Sequence, residues 1–146
     1  MSFYSIAIKS PLSQVVNELG VFIMLILDKQ VSILMMNKDN QKNSLSKLNR
    51  QAKEILTKAF GGVTVEKTSG TWIDEGVLYK DESQKISCNY AEKLTLDQMR
   101  AFMTVINLEF KKGKQNAVSI FVGSTLYIIE PNDLRTVEHI IAKVGA

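Results

Sequence analysis

The stretch that decides the fold is AFGGVTVEKTSGTWIDEGVLYKDES, residues 59–83, which holds the only paired glycines and the only tryptophan of the chain. A glycine at a helix end can adopt the left-handed backbone that stops the helix, so Gly61 predicts a helix end at this point. A phosphate loop would instead place its glycines before a helix, where free N–H groups converge. Gly61 and Gly62 therefore predict a cap followed by a strand, not a phosphate site.

The residues after Gly62 predict a β meander of four short strands, at residues 63–66, 71–73, 77–80 and 85–90. Three clusters of turn-forming residues separate these strands, at residues 68–70, 74–76 and 81–83. In the last strand, apolar positions alternate with polar ones, which predicts one buried face and one wet face. The inward positions are Ile86, Cys88 and Tyr90.

Two amphipathic helices flank the meander. Before it, apolar residues at helical spacing predict a helix over residues 45–59, with Ser44 as its N-cap. After it, Thr95 and Gln98 have the spacing of a capping box, and the helix that they start is expected to end at Gly113. An apolar hairpin over residues 117–129 and a last helix after Pro131 complete the order. The predicted buried face of the Thr95 helix consists of Leu96, Met99, Phe102, Met103, Ile106 and Phe110.

The first 36 residues are unusually apolar. VFIMLIL (21–27) and VSILMM (31–36), joined by a polar Asp-Lys-Gln, predict a β hairpin, and a single continuous helix is the alternative. Ahead of them, residues 3–8 predict a strand and residues 11–20 a short helix. Residues 1–36 are thus a candidate N-terminal β arm or oligomerisation element. The first run is much shorter than the roughly 20 residues of a membrane helix, so we expect no membrane partner and a cytoplasmic protein.

The order from Ser44 onward is helix, meander, helix, hairpin and helix, which is typical of an α+β fold. We expect one domain over residues 1–146, with a mostly antiparallel sheet, helices on one face and a ferredoxin-like plan. The apolar N-terminal hairpin is expected to be an extension of this domain. Open sheets of this kind often pair with a second copy, so a homo-oligomer is expected.

The composition limits the chemistry that the chain can perform. With 45% hydrophobic and 23% charged residues and a net charge of +3, the chain has the balance of an ordinary globular domain. The single cysteine, Cys88, excludes an intrachain disulfide, and the single histidine, His139, excludes a multi-histidine metal centre within one chain. We place Cys88 inside the sheet and His139 on the wet side of the last helix, so a catalytic Cys–His pair is not expected. No metal and no cofactor are predicted.

Trp72 and its sequence neighbours form the candidate binding surface. If Trp72 is exposed, its ring can stack on a base or a sugar beside nearby lysines; the alternative is a place in the core or in a subunit interface. The two arginines, one on each predicted amphipathic helix, join the surface only if the fold brings them there. Basic residues do not cluster with several aromatics, so nucleic acid is not an expected partner. The predicted ligand-binding set is Trp72, Lys67, Tyr79, Lys80, Arg50 and Arg100.

A helix that ends in Phe-Gly-Gly is followed here by a threonine and then by Gly-x-Trp at the start of a hairpin. In these features the chain resembles small uncharacterised α+β proteins that phages and bacterial mobile elements encode. The resemblance extends at most to about Ile129, and residues 1–40 have no counterpart in it. It implies a common fold and no particular chemistry. The matching positions are Phe60, Gly61, Gly62, Thr64, Gly70 and Trp72.

Three functions remain open. The first is a non-enzymatic, phage-encoded binding protein that captures a small anionic, nucleotide-like ligand between subunits and so counters host defence. The alternative is a protein-interaction module or inhibitor that docks on a host protein through the apolar N-terminal part. The third is an enzyme in which Tyr79, Tyr90 or Glu82 transfers protons, and it is the least favoured because few titratable groups can be placed in a pocket.

Overall fold

The computed structural model describes residues 26–144. Within that range the chain forms five strands, three α-helices and one short 3₁₀ turn. The strands are β1 (Lys29–Met36), β2 (Thr64–Asp74), β3 (Val77–Tyr90), β4 (Val118–Val122) and β5 (Thr125–Ile129). The helices are α1 (Ser46–Phe60), α2 (Leu96–Lys111) and α3 (Leu134–Val144), and the 3₁₀ turn Pro131–Asp133 precedes α3.

The five strands form one sheet in the order β2-β3-β1-β4-β5, and every pair of neighbours is antiparallel. The chain order β1-α1-β2-β3-α2-β4, with β1 between β3 and β4, is the ferredoxin-like arrangement. Strand β5 extends this plan at the β4 edge. The predicted α+β class, with its largely antiparallel sheet and ferredoxin-like plan, is confirmed.

The hydrophobic core lies between α1 and α2 and one face of the sheet. Alternate side chains of β1 point into it, because successive residues of a strand face opposite sides. Burying each such side chain stabilises the fold by roughly 1.5–3 kcal/mol. Core residues from the sheet and the two helices include Val31, Ile33, Met35, Ile86, Cys88, Ala52, Leu56, Phe102 and Ile106, all of them fully buried.

The second half of the predicted N-terminal hairpin is not an arm. Residues 31–36 belong to β1, the central strand, which pairs with β3 from Lys29 to Met36 and with β4 from Val31 to Ile33. Its apolar side chains are part of the main core. The predicted strand at residues 3–8, the helix at 11–20 and most of the first apolar strand lie outside the described residues, and an arm or oligomerisation role for that segment stays a prediction.

The predicted four-strand meander is two long strands. The clusters 68–70 and 81–83 were predicted to be turns, but they face each other across the β2–β3 ladder, with Thr68 opposite Ser83 and Gly70 opposite Asp81. The side-chain oxygens of Thr68 and Ser83 share a hydrogen bond of 2.5 Å. Cross-strand pairing thus overrides the local turn preference of these polar residues, as strand propensity depends on context.

The only turn of this hairpin is at Glu75 and Gly76, where φ is +50° and +78°. Positive φ at both central residues is the feature of a type I′ turn, whose twist matches that of the flanking strands. This turn was predicted, and so was the left-handed cap at Gly61, where φ is +81°. Both predictions are confirmed.

Of the two N-caps that were predicted by residue, the cap of α2 is confirmed and that of α1 is wrong. The capping box of α2 is present, since Gln98 N donates to Thr95 Oγ1 at 3.1 Å and Thr95 N donates to Gln98 Oε1 at 3.0 Å. For α1, Ser44 is not the N-cap: Leu45 occupies that position without a side-chain cap, and Ser44 Oγ instead accepts from Ser46 N at 3.3 Å. Burial of Leu45 in the core fixes this start.

Leu96 was predicted to be buried and is 58% exposed. The buried stripe of α2 runs through Gln98, Phe102, Ile106 and Glu109. Since each helical residue turns by about 100°, Leu96 is about 200° away from Gln98 around the axis and points away from the core.

Candidate functional site

The β2–β3 hairpin projects beyond the rest of the sheet. Strand β1 pairs with β3 only as far as the Met36–Ser83 pair, whereas β2 and β3 continue to pair up to Asp74 and Val77. The paired residues 69–74 and 77–82 therefore form a two-stranded extension, here called the arm. Most of its side chains are exposed.

Trp72 and Tyr79 lie on the arm as a cross-strand pair. Their rings are stacked, with centroids 4.5 Å apart and an interplanar angle of 17°. Trp72 is 47% exposed and Tyr79 42% exposed, so part of each ring remains open to solvent. The indole is held in place, because its Nε1 donates a hydrogen bond of 2.6 Å to Asp81 Oδ2. Trp72 is thus an exposed, oriented aromatic residue and not a core residue of this chain.

A groove runs beside the arm. It encloses about 950 Å³ between three parts of the chain: the arm, the end of β1 with the following residues 37–42, and residues 115–117 just before β4. This volume is in the range of small-molecule sites. Both charge signs are present: the charged lining residues are Lys38, Lys42 and Lys80, and Asp39, Asp74, Asp81 and Glu82.

The wall formed by residues 37–42, here called the wall loop, is ordered by Asp39. Its Oδ1 accepts the backbone N–H groups of Gln41 and Asn43, each at 2.9 Å, and its Oδ2 accepts from Asn43 Nδ2 at 3.3 Å. The Asn43 backbone N–H is the largest of the effects that hold the pKa of Asp39 below its ordinary value. The wall is therefore shaped by hydrogen bonds from within the loop and from Asn43, which directly follows it.

A buried carboxyl lies behind the wall loop. Glu109 is fully buried, and its Oε2 accepts the backbone N–H of Met36 at 3.1 Å. Burial raises the pKa of Glu109 to about 7, and the Met36 N–H opposes that shift. Sequence reasoning missed Glu109. The available signal was its spacing, three residues after Ile106 and seven after Phe102, which places it on the buried stripe of α2.

Three of the predicted site residues come together in the groove lining: Trp72, Tyr79 and Lys80. Glu82, the residue proposed for proton transfer, also lines the groove. The other three predicted residues are not among its lining residues: Lys67, Arg50 and Arg100. Lys67 is on the opposite face of β2 from Trp72, since the two are an odd number of residues apart. A binding role for these three stays a prediction.

Cys88 and His139 do not form a site. Cys88 is fully buried in the core, where burial raises the pKa of its thiol to about 12, and His139 is exposed on α3. Both placements agree with the sequence prediction. Tyr90 is 2% exposed, and burial raises its pKa, so this phenol is part of the core and not of the groove.

Among residues 26–142, no group of three histidine, cysteine, aspartate or glutamate side chains is arranged to hold a metal ion. In the same part of the chain, no helix has the length and hydropathy needed to cross a membrane.

The fold has counterparts among solved structures. A phage SAM lyase in complex with S-methyl-5′-thioadenosine superposes with a TM-score of 0.51 at 15% sequence identity, over 71% of this chain and 90% of that one. A phage SAM lyase in the apo state gives a TM-score of 0.47 at 17% identity, over 75% of this chain and 96% of that one. No protein family and no curated protein matches the chain in sequence. At these identities the likeness of the first structure shows a shared fold.

Proposed function

We propose that this chain binds a small adenosine-containing molecule of the S-adenosylmethionine class in the groove beside the arm. The observation that carries the proposal is the exposed Trp72–Tyr79 stack at the edge of a groove of about 950 Å³. The shared fold with a phage SAM lyase that holds S-methyl-5′-thioadenosine directs the choice of ligand class. The ligand would lower the free-energy cost of leaving these rings exposed.

The stack is suited to a nucleobase. An oriented, half-exposed indole offers apolar aromatic surface, and base–aromatic stacking contributes about 1–3 kcal/mol per base. The hydrogen bond from Trp72 Nε1 to Asp81 and the contact with Tyr79 fix the ring before a ligand arrives. Little conformational entropy is then lost on binding.

The charges of the groove favour a ligand with charges of both signs. Three lysines and four carboxylates line it, so the lining has no excess of positive charge. A polyanionic nucleotide would therefore meet more repulsive charged groups than attractive ones. S-adenosylmethionine has a sulfonium, an ammonium and a carboxylate, which match such a lining, and its cation can also contact an aromatic face. We therefore replace the anionic ligand of the sequence-based hypothesis with a zwitterionic or neutral adenosine derivative.

The biological role proposed here remains phage-encoded interference with host defence, through lowering the free concentration of such a ligand. Capture alone and turnover both achieve this, and they differ in a measurable product. The described groove contains Glu82 and Tyr79 as groups able to transfer protons. Incubation of S-adenosylmethionine with the protein, followed by chromatography for S-methyl-5′-thioadenosine, separates capture from cleavage.

Isothermal titration calorimetry with S-adenosylmethionine, S-methyl-5′-thioadenosine and ATP tests the proposal. We expect binding of at least one of the first two and weaker binding of ATP. Trp72→Ala is expected to weaken binding roughly 5- to 150-fold, which is the stacking contribution of about 1–3 kcal/mol expressed as affinity. Thr71→Ala is the matched control, since Thr71 is the preceding residue, is exposed and does not line the groove.

Absence of heat with both adenosine compounds at millimolar ligand would contradict the proposal. Preferential binding of ATP would favour the anionic ligand instead. Equal loss of affinity in the Trp72 and Thr71 variants would move the site away from the groove face of the arm.

A further inference from the structure

The end of β1 is held by two side chains. They bind its backbone on the edge that faces β4, beyond the point where pairing with β4 stops. The C=O of Gln30 accepts from Gly123 N at 2.8 Å, so even-numbered residues of β1 point their N–H and C=O groups toward β4. Pairing with β4 stops at Ile33, which leaves Met36 without a strand partner on that side. Two side chains take its place: Glu109 Oε2 accepts the Met36 N–H and Asn49 Nδ2 donates to the Met36 C=O, each at 3.1 Å.

Met36 is the junction between the core and the groove. The next residue, Asn37, begins the wall loop, with its N–H bonded to Glu82 O at 3.0 Å and its C=O bonded to Leu45 N at 2.9 Å. Both Met36 and Asn37 line the groove. Release of Met36 would therefore leave the first residue of the wall loop held only by its own two backbone bonds.

The two side chains that bind the Met36 backbone differ in their ability to ionise. Asn49 is uncharged at every pH, whereas Glu109 is a carboxyl with 0% exposure and a single hydrogen bond from a described residue. Its Oε1 has no partner among the described residues. The packing there is close, because Gly113 lies against that oxygen with no room for a Cβ. Ionising a carboxyl in such surroundings is costly unless it reaches water, while the neutral acid is tolerated.

We propose that Glu109 is a positioning residue and a proton-dependent latch for the wall loop. In its neutral form it remains buried and holds the Met36 N–H. In its ionised form it moves toward water, releases Met36 and loosens the wall loop. The consequence for ligand binding rests on the proposed function, whereas the latch itself is observable in the free protein.

The described groups that contact Glu109 or its partner Met36 are uncharged, so Glu109 is the group that titrates. From β1 it meets the backbone N–H of Met36, from α1 the uncharged Asn49 holds the same residue, and after α2 it meets Gly113. Burial raises the pKa of Glu109 to about 7, and no charge on a described residue contributes to that shift. Lys114, the charged residue that follows Gly113, acts on Asp39 and lowers its pKa.

Hydrogen exchange of the Met36 amide and of the wall loop tests the latch in the full chain without ligand. Rates are divided by those of the unfolded chain at each pH, which removes intrinsic base catalysis. In the wild type we expect protection to fall up to about tenfold per pH unit above about pH 7. Glu109→Gln, which remains neutral, is expected to give a flat profile. Asn49→Ala is the matched control, and it should lower protection equally at every pH and keep the wild-type slope.

A flat profile in the wild type, or the same slope in Glu109→Gln, would overturn the latch. Titration of S-adenosylmethionine over the same pH range keeps the two proposals separable. A pH-dependent loop with no ligand binding would leave the latch and remove the proposed function. Ligand binding together with a wall loop whose protection does not change with pH would leave the proposed function and remove the latch.

Discussion

Trp72 Nε1 and Asp81 Oδ2 are joined by a hydrogen bond of 2.6 Å across the arm, and Asp81 lies two residue pairs along the ladder from the stacked pair that Trp72 forms with Tyr79. The carboxylate therefore orients the ring that we propose as the ligand platform. Sequence proximity to Trp72 singled out Tyr79 and Lys80, and it did not indicate Asp81. The reason is that Asp81 lies opposite Gly70 on the neighbouring strand. Only the register of the hairpin brings it within reach of the Trp72 ring.

The first prediction concerns this bond. Asp81→Leu removes the acceptor and is expected to free the indole, with a faster local component in the fluorescence anisotropy decay of the only tryptophan. Ligand affinity is expected to fall about tenfold, since part of the orientation is lost. Global stability should change by less than about 1 kcal/mol because the pair is exposed. Glu66→Gln, an exposed substitution on β2 outside the groove lining, is the control, and an unchanged decay in Asp81→Leu would contradict the role of Asp81.

The second prediction concerns pH. The pKa of Glu109 is raised in the folded chain from its ordinary value of 4.5 to about 7. The folded state therefore binds this proton more tightly than the unfolded state does. The resulting stability is fully present below about pH 4.5 and is lost as the pH rises to about 7, with a total of about 3 kcal/mol.

Urea unfolding at about pH 5 and about pH 8 measures this difference. The wild type should lose about 2 to 3 kcal/mol more than Glu109→Gln between the two conditions, since the unfolded carboxyl is already mostly ionised at about pH 5. Glu54→Gln, an exposed substitution on α1, should behave like the wild type. Parallel losses in the wild type and in Glu109→Gln would assign the pH dependence to other groups.

Features that depend on residues close in sequence were predictable. The helical periodicity, the Thr95–Gln98 capping box and the turn at Glu75-Gly76 are all encoded within a few residues. The central position of β1 was not predictable, because strand order depends on contacts between distant segments. The turns expected at residues 68–70 and 81–83 failed for the same reason: each cluster is turn-forming alone and becomes strand when the other pairs with it.

The same distinction applies to the candidate site: its residues that are close in sequence were predicted, and those from distant segments were not. Trp72, Tyr79 and Lys80 were found because the hairpin brings sequence neighbours together. The opposite walls of the groove, residues 37–42 and 115–117, come from segments far from the hairpin in sequence. A local pattern cannot reveal that they meet. Glu109 was missed because a glutamate inside an amphipathic helix is usually on the solvent face.

The third prediction concerns the N-terminal segment. Deletion of residues 1–36 is expected to unfold the chain, because it removes the central strand β1 together with its pairing to β3 and β4. The core would lose Val31, Ile33 and Met35, which are fully buried. Far-UV circular dichroism and a thermal melt check this outcome. A cooperative melt of the truncated chain would show that β1 is dispensable and would restore the hypothesis of an N-terminal β arm for residues 29–36.

The fourth prediction concerns assembly, which the sequence suggested and which we propose to involve the arm. Ile73 and Leu78 are directly paired on the face opposite Trp72, and they are 70% and 67% exposed. Exposed apolar side chains that adjoin one another are one mark of an interaction site. A second copy of the chain is the proposed occupant, in line with the expected homo-oligomer.

Analytical ultracentrifugation checks this assembly. The wild type should sediment as an oligomer, and Leu78→Asp should shift it toward the monomer while circular dichroism remains unchanged, because the side chain lies outside the core. Leu126→Asp is the matched control at the opposite edge of the sheet, where Leu126 is 49% exposed on β5. Dissociation by the Leu126 variant alone would place the contact at the β5 edge, and a monomeric wild type would remove the proposal.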